Sequence, residues 1–235
     1  MKITGIVDNF KIHPLLKRDW GLSIFIENND KTLLFDTGND YRILEHNIKH
    51  LGLENKFKKI NYLFLSHYHN DHTGGLEYIL SNSIIDKVFI PAKFPDNLIK
   101  KIKEKSEIVI CNTITKIDEN IYSTGTFDAD IPEHSIVLKT KKGIIVIAGC
   151  AHPKIENILT FSKEHFDEKL HAVIGGFHFY KLYEEKLFIR LDRIKKTGVE
   201  FLLPSHCTGI EAINVMNVEF KGRIIKFGAG TTLEI

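Results

Sequence analysis

Short apolar runs separated by polar turns open the chain. KITGIV and LSIFIE read as strands, NND as a turn with Asn29-Asp30 at a hairpin tip, and KTLLFD as the returning strand. TGND breaks that strand, and residues 41–51 have helical spacing, with Ile43, Leu44, Ile48 and Leu51 on one side. INYLFL is apolar throughout and predicts a buried strand. From there strands and helices alternate: KVFIP, then the helix DNLIKKIKEKS with Asp96 as its cap, then IVIC and IYSTG. SIVLKT and IIVIAG form a hairpin across KKG; the helix KIENILTFSKEHF follows, then the strand HAVIGG. The helix EEKLFIRLDRIKKTG closes on Gly198, FLLP is a strand, and a helix-loop-strand passage runs from INVMNVEF to RIIKFG. The pattern predicts one domain over residues 1–235, with sheets in the middle and helices outside.

Four of the predicted strands share a feature that secondary structure alone does not require. YLFL leads into SHYHNDH, IIVIAG into CAHP, AVIGG into FHF, and FLLP into SHC. Each apolar strand thus runs straight into a polar loop with histidine. In open α/β sheets the loops beyond the carboxyl ends of strands line the ligand crevice, so the four loops point to one shared site.

The densest loop is SHYHNDHTGG, residues 66–75, with His67, His69, Asp71 and His72. Imidazole nitrogen and carboxylate oxygen are the donors that a hard or borderline metal takes. Residues two apart in an extended segment project to the same side, so His67 and His69 can grip one ion. Asp71 and His72 lie past the turn and can face a second. Gly74 and Gly75 allow the backbone to bend sharply into the next helix.

SHYHNDHTGG resembles the H-x-H-x-D-H signature of the metallo-β-lactamase superfamily, and it follows a strand as it does there. LLFDTG, residues 33–38, is similar to the family's earlier strand and turn, where the aspartate, Asp36 here, supports a metal-binding histidine from behind. GCAHP, GGFH and PSHCTG resemble one branch, that of archaeal dihydropterin–ribofuranosylaminobenzene phosphate synthase and related metal-dependent hydrolases. The likeness runs over residues 21–209 and implies an α/β (α+β) fold, a four-layer αββα sandwich. It implies that His67, His69 and His152 bind one metal, and Asp71, His72 and His206 another, with Asp71 also catalytic. Cys150 stands where the better-known hydrolase branches carry a bridging aspartate; it is either a thiolate ligand or a small buried residue. His134 competes with His152 for the third ligand position. His178 has no standard metal role, and is expected to orient substrate or carry a proton. The branch has histidine where this chain has Trp20, so that position departs from the pattern.

The implied activity is that of a dinuclear metal-dependent hydrolase or transferase acting on a phosphorylated or otherwise anionic small molecule, a pterin diphosphate among them. A lactone or thioester hydrolase, or a non-catalytic metal-dependent binding or sensing module, are the alternatives. Two divalent ions are expected. The imidazole-rich set favours zinc, with manganese, iron and magnesium as the other candidates. Specificity would lie in loops such as KFPDN and FHFYKLYEEK, where Tyr180 and Lys181 either bind phosphate or simply begin a solvated helix.

Composition narrows the partners. Lys and Arg number 32 against 30 for Asp and Glu, and KKIKEKSE mixes signs, so no nucleic-acid surface is expected. Three cysteines, Cys111, Cys150 and Cys207, do not make a disulfide framework, which fits a reducing cytoplasm. MKITGIVDNF lacks the pattern of a signal peptide, and no apolar run reaches the ~18 residues of a membrane span. A homo-oligomer is left open. His13, His46, His50, His165 and His171 read as solvated or capping residues.

Overall fold

The computed structural model describes residues 1–182 and 184–235. In chain order its elements are β1 (Lys2–Val7), β2 (Ser23–Asn28), β3 (Lys31–Phe35), α1 (Tyr41–His50), α2 (Glu54–Phe57), β4 (Lys59–Phe64), α3 (Asn70–Thr73), α4 (Leu76–Asn82), β5 (Ile84–Pro91), α5 (Asp96–Lys103) and β6 (Glu107–Cys111). There follow β7 (Thr115–Asp118), β8 (Ile121–Ser123), β9 (Ile136–Thr140), β10 (Gly143–Ala148), α6 (Ile155–Phe166), β11 (Leu170–Gly176), α7 (Glu184–Thr197), β12 (Phe201–Ser205), α8 (Ile210–Glu219) and β13 (Thr232–Glu234). The chain divides into two compact units, residues 1–112 with 227–235, and residues 113–226.

The first unit holds a seven-stranded sheet in the order β13-β1-β2-β3-β4-β5-β6. Its first half is antiparallel, while β3, β4, β5 and β6 run parallel. Parallel neighbours need crossovers, and α1 to α5 supply them. Leu44, Ile48, Phe57, Ile79 and Ile102 from those helices pack with Phe25, Leu34, Leu63 and Val88 in one buried cluster. The helical face read on residues 41–51 is therefore the face that packs on this sheet. Asp40 caps α1 by accepting from the Arg42 N–H at 2.8 Å.

The second unit holds a six-stranded sheet in the order β12-β11-β10-β9-β8-β7. Strands β10, β11 and β12 are parallel, and the others antiparallel. Ile155, Ile158, Leu159, Leu187, Leu191, Ile194 and Met216 from α6, α7 and α8 join Val146, Val173 and Leu202 in its core. In each sheet, the parallel run delivers its carboxyl ends to a single edge. Those ends are where the histidine loops begin.

Three local expectations change. Asp96 is the first residue of α5 rather than its cap, a place taken by Pro95 in extended conformation; the carboxylate still sits at the positive end of the helix. RIIKFG makes only a bridge from Ile224 to Leu202, and the closing strand is β13, paired with β1. Gly74 and Gly75 have ordinary helical backbone angles. What Gly74 provides is absence of a side chain, since a Cβ there would lie 1.9 Å from the Asn39 carbonyl oxygen. Among the described residues, no helix is long and apolar enough to cross a membrane.

Phe25 is fully buried and stacks on Phe57 with ring centroids 4.7 Å apart. Phe25→Ala should cost about 3–5 kcal/mol, seen as a lower urea midpoint with an unchanged m-value.

Candidate metal-binding site

At the carboxyl edge of the first sheet, β3 leads into Asp36, and β4 leads through Leu65 and Ser66 to His67. Asp36 has no exposed surface and a left-handed backbone, φ 55°. Its Oδ1 accepts the Ser66 N–H at 2.7 Å, and its Oδ2 accepts the Ser66 hydroxyl at 2.7 Å and His72 Nδ1 at 2.6 Å. A hydroxyl carries one proton, so Ser66 Oγ, having donated it to the carboxylate, accepts from His67 Nδ1 at 3.0 Å. The network assigns one tautomer to both rings: His67 and His72 each carry the proton on Nδ1 and turn the Nε2 lone pair away from Asp36. A metal ligand needs that state.

Ligating atoms of His67, His69 and Asp71 lie within 4.8 Å of one another. The His67 and His69 ring centroids are 4.8 Å apart, as expected for residues two apart in an extended segment. His72 Nε2 stands 3.8 Å from Asp71 Oδ2. Two imidazoles and a carboxylate, with their backing groups already engaged, fit a divalent ion such as zinc. The turn that presents them is pinned by the Thr37 N–H and hydroxyl, both donating to the His72 carbonyl at 2.8 and 3.0 Å.

Trp20 belongs to the same cluster. Its indole Nε1–H donates to Asp71 Oδ2 at 3.1 Å, while the Leu22 N–H donates to the Asp71 carbonyl at 3.1 Å. The ring is still 44% exposed. Residues 20–22 therefore hold Asp71 by side chain and backbone together. Only the departure from the family pattern marked this position in the sequence.

In the second unit the loops after β10, β11 and β12 gather Cys150, His152, His178, His206 and Cys207. Cys150 Sγ lies 3.3 Å from His206 Nε2, and the His152 and His178 rings are 4.7 Å apart. Glu133, missed in the sequence, organises the first loop. Its buried carboxylate accepts the N–H groups of Cys150 and Ala151 on Oε1, at 3.0 and 2.9 Å, and that of His152 on Oε2 at 2.9 Å. A glutamate in an antiparallel stretch carries no signal that it will meet a loop 17 residues later. His134 follows it, two residues before β9, its Nδ1 2.9 Å from Ser123 Oγ.

The thiol of Cys207 is pushed up by burial, but hydrogen bonding to Cys150 and His178 and the charges of His206 and His178 outweigh this and hold it well below the usual thiol range. The hydrogen bond to Cys207 raises His178 in turn. Of the remaining histidines, His50 and His165 bond to carbonyls one turn back, His46 meets the Leu15 carbonyl, His13 accepts from the Leu15 N–H, and His171 pairs with Glu200. Lys181 lies over the Tyr180 ring. The loop FHFYKLYEEK includes Tyr183, outside the described residues.

The metallo-β-lactamase superfamily model matches residues 19–96, and the fold is that of solved members of the superfamily. Beyond that segment, the chain is 29% identical to the 7,8-dihydropterin-6-methyl-4-(β-D-ribofuranosyl)-aminobenzene-5′-phosphate synthase of Methanocaldococcus jannaschii, over 95% of this chain and 98% of that protein. It is also 29% identical to an uncharacterised protein of the same organism, over 84% and 87%. Among solved structures it resembles a metal-dependent hydrolase of the β-lactamase superfamily, with TM-score 0.83, 25% identity, and 100% and 99% of the two chains covered.

Asp36→Asn replaces an acceptor of three bonds by a group of similar shape that also donates, which disturbs the tautomers of His67 and His72. It should weaken zinc binding about 10- to 100-fold, measured by chelator competition. Trp20 is the chain's single tryptophan. Its fluorescence should shift when zinc is added, and the shift should be absent in Asp71→Ala.

Proposed function

We propose that this protein is a dinuclear metal-dependent enzyme acting on a phosphorylated or otherwise anionic small molecule. The ligand set is the one the resemblance assigns: His67, His69 and His152 for one divalent ion, Asp71, His72 and His206 for the other. The observation that carries the reading is the Asp36–Ser66–His67 and Asp36–His72 network, which readies two imidazoles as ligands at a buried position. A histidine-rich surface loop has no need of such backing.

Two bound divalent ions supply Lewis acidity, a water able to attack at neutral pH, and neutralisation of a departing phosphate or diphosphate. The residues do the rest. Asp36 fixes the His72 and His67 rings. Trp20 holds the Asp71 carboxylate and Leu22 the Asp71 backbone carbonyl, and Asp71 serves both as ligand and as acceptor for the attacking group's proton. Glu133 sets the path of the loop bearing His152.

Similarity over nearly the full length of a synthase favours transfer at a pterin diphosphate, in which an arylamine displaces pyrophosphate. The likeness to a metal-dependent hydrolase supports hydrolysis as the second reading, with water in the amine's place. Asp71→Ala and His67→Ala should each lower turnover by at least about 100-fold, the scale of losing a charge-stabilising group, while leaving the far-ultraviolet circular dichroism unchanged. Elemental analysis of natively purified protein should find two ions per chain, and exhaustive chelation should abolish activity that zinc or manganese restores. Parental turnover in both variants across phosphoesters, lactones and pterin diphosphates would overturn the reading.

A further inference from the structure

Neither the expected ligand set nor the proposed reaction uses Cys207, and neither explains why it lies where it does. Ligating atoms of Cys150, His178 and Cys207 fall within 4.8 Å of one another, and all three belong to residues 113–226. They come from the ends of three adjacent parallel strands, β10, β11 and β12. Both thiols are buried, and none of the cysteines is in a disulfide.

Two further observations show that the cluster is built. Non-glycine residues with left-handed backbone crowd these same loops: Ala151 at φ 57°, His178 at 55° and His206 at 45°. Each costs on the order of 1 kcal/mol. His178, in that backbone conformation, has a ring nitrogen within 4.8 Å of both thiol sulfurs. Gly176 is the second. A Cβ there would lie 2.5 Å from Cys207 Sγ and 3.3 Å from the Cys150 Cα, so the missing side chain is what lets the Cys207 thiol reach Cys150.

We propose that Cys150, His178 and Cys207 form a second, thiolate-rich site for a soft d10 cation of the zinc or cadmium class. Two thiolates and one imidazole make a three-ligand set that leaves a coordination position open. His178 is the exposed member, so the cluster is open to solvent on its side. Binding displaces the thiol protons to solvent and involves no change of oxidation state. His178 is thereby given a ligand's part in place of the substrate-orienting or proton-carrying role expected of it. The site borders the proposed metal pair, since Cys150 Sγ lies 3.3 Å from His206 Nε2, and it is told apart from that pair by its use of Cys207.

The test is a cadmium titration of the reduced, metal-free full chain, followed by the ultraviolet thiolate-to-cadmium charge-transfer band. Imidazole and carboxylate ligands contribute nothing to that band. It should appear with the intensity of two thiolates, fall to about half in Cys207→Ser, and keep its full height in His67→Ala. Bound cadmium should also protect both Cys150 and Cys207 of the unmutated chain from alkylation, as read by mass spectrometry, which needs no variant to fold. His178→Ala, a change at an exposed side chain, should weaken cadmium binding at least tenfold. A band of single-thiolate strength that Cys207→Ser leaves unaltered would sink the proposal, as would alkylation of Cys207 at saturating cadmium. Loss of the band with turnover intact overturns this site alone; a full band in a protein without turnover overturns only the proposed reaction.

Discussion

A carboxylate with no exposed surface is an expensive group to bury, and Asp36 is tolerable only because both its oxygens are bonded. Its partners are a backbone N–H, a hydroxyl and an imidazole, and they come from the end of β4 and from the turn beyond it. One side chain therefore ties β3 to β4 and orients the histidines that follow. Removing it would cost more than a ligand's support, because Ser66 and His72 would be left buried with unmet hydrogen bonds. Stability and the orientation of His67 and His72 are coupled through this one group.

The second unit repeats the device with different parts. Glu133 is also fully buried, and its two oxygens collect three successive N–H groups of the loop carrying Cys150 and His152. Three backbone donors satisfy the carboxylate oxygens, as they do at an anion-binding nest. In both units an acidic side chain that touches no substrate shapes a loop at the carboxyl edge of parallel strands. The strained residues of the second unit, Ala151, His178 and His206, show what such loops cost and why they need anchoring.

This arrangement accommodates more than one reaction. Specificity within a shared fold resides in the groups around the site rather than in the sheets. Trp20 is the clearest such group here, since its N–H holds Asp71 while much of its ring stays open to solvent. A chain with histidine at that place would hold the carboxylate differently.

The apolar runs determined the strands, the helix spacing at residues 41–51 determined which face would be buried, and SHYHNDHTGG determined the chemistry of the first cluster. Those features are local, so periodicity and residue type suffice to read them. Asp36 and its link to a histidine were legible only through resemblance. Glu133, Cys207 and Trp20 were not legible as members of a cluster, because each acts on a group 17, 57 or 51 residues away. RIIKFG shows the same limit for a strand: its composition is that of a β-strand, but whether a ladder forms depends on which edge is open when the sheet is complete. Pairing partners, buried acceptors and the room left by Gly74 and Gly176 are properties of packed neighbours, and only the folded chain supplies the neighbours.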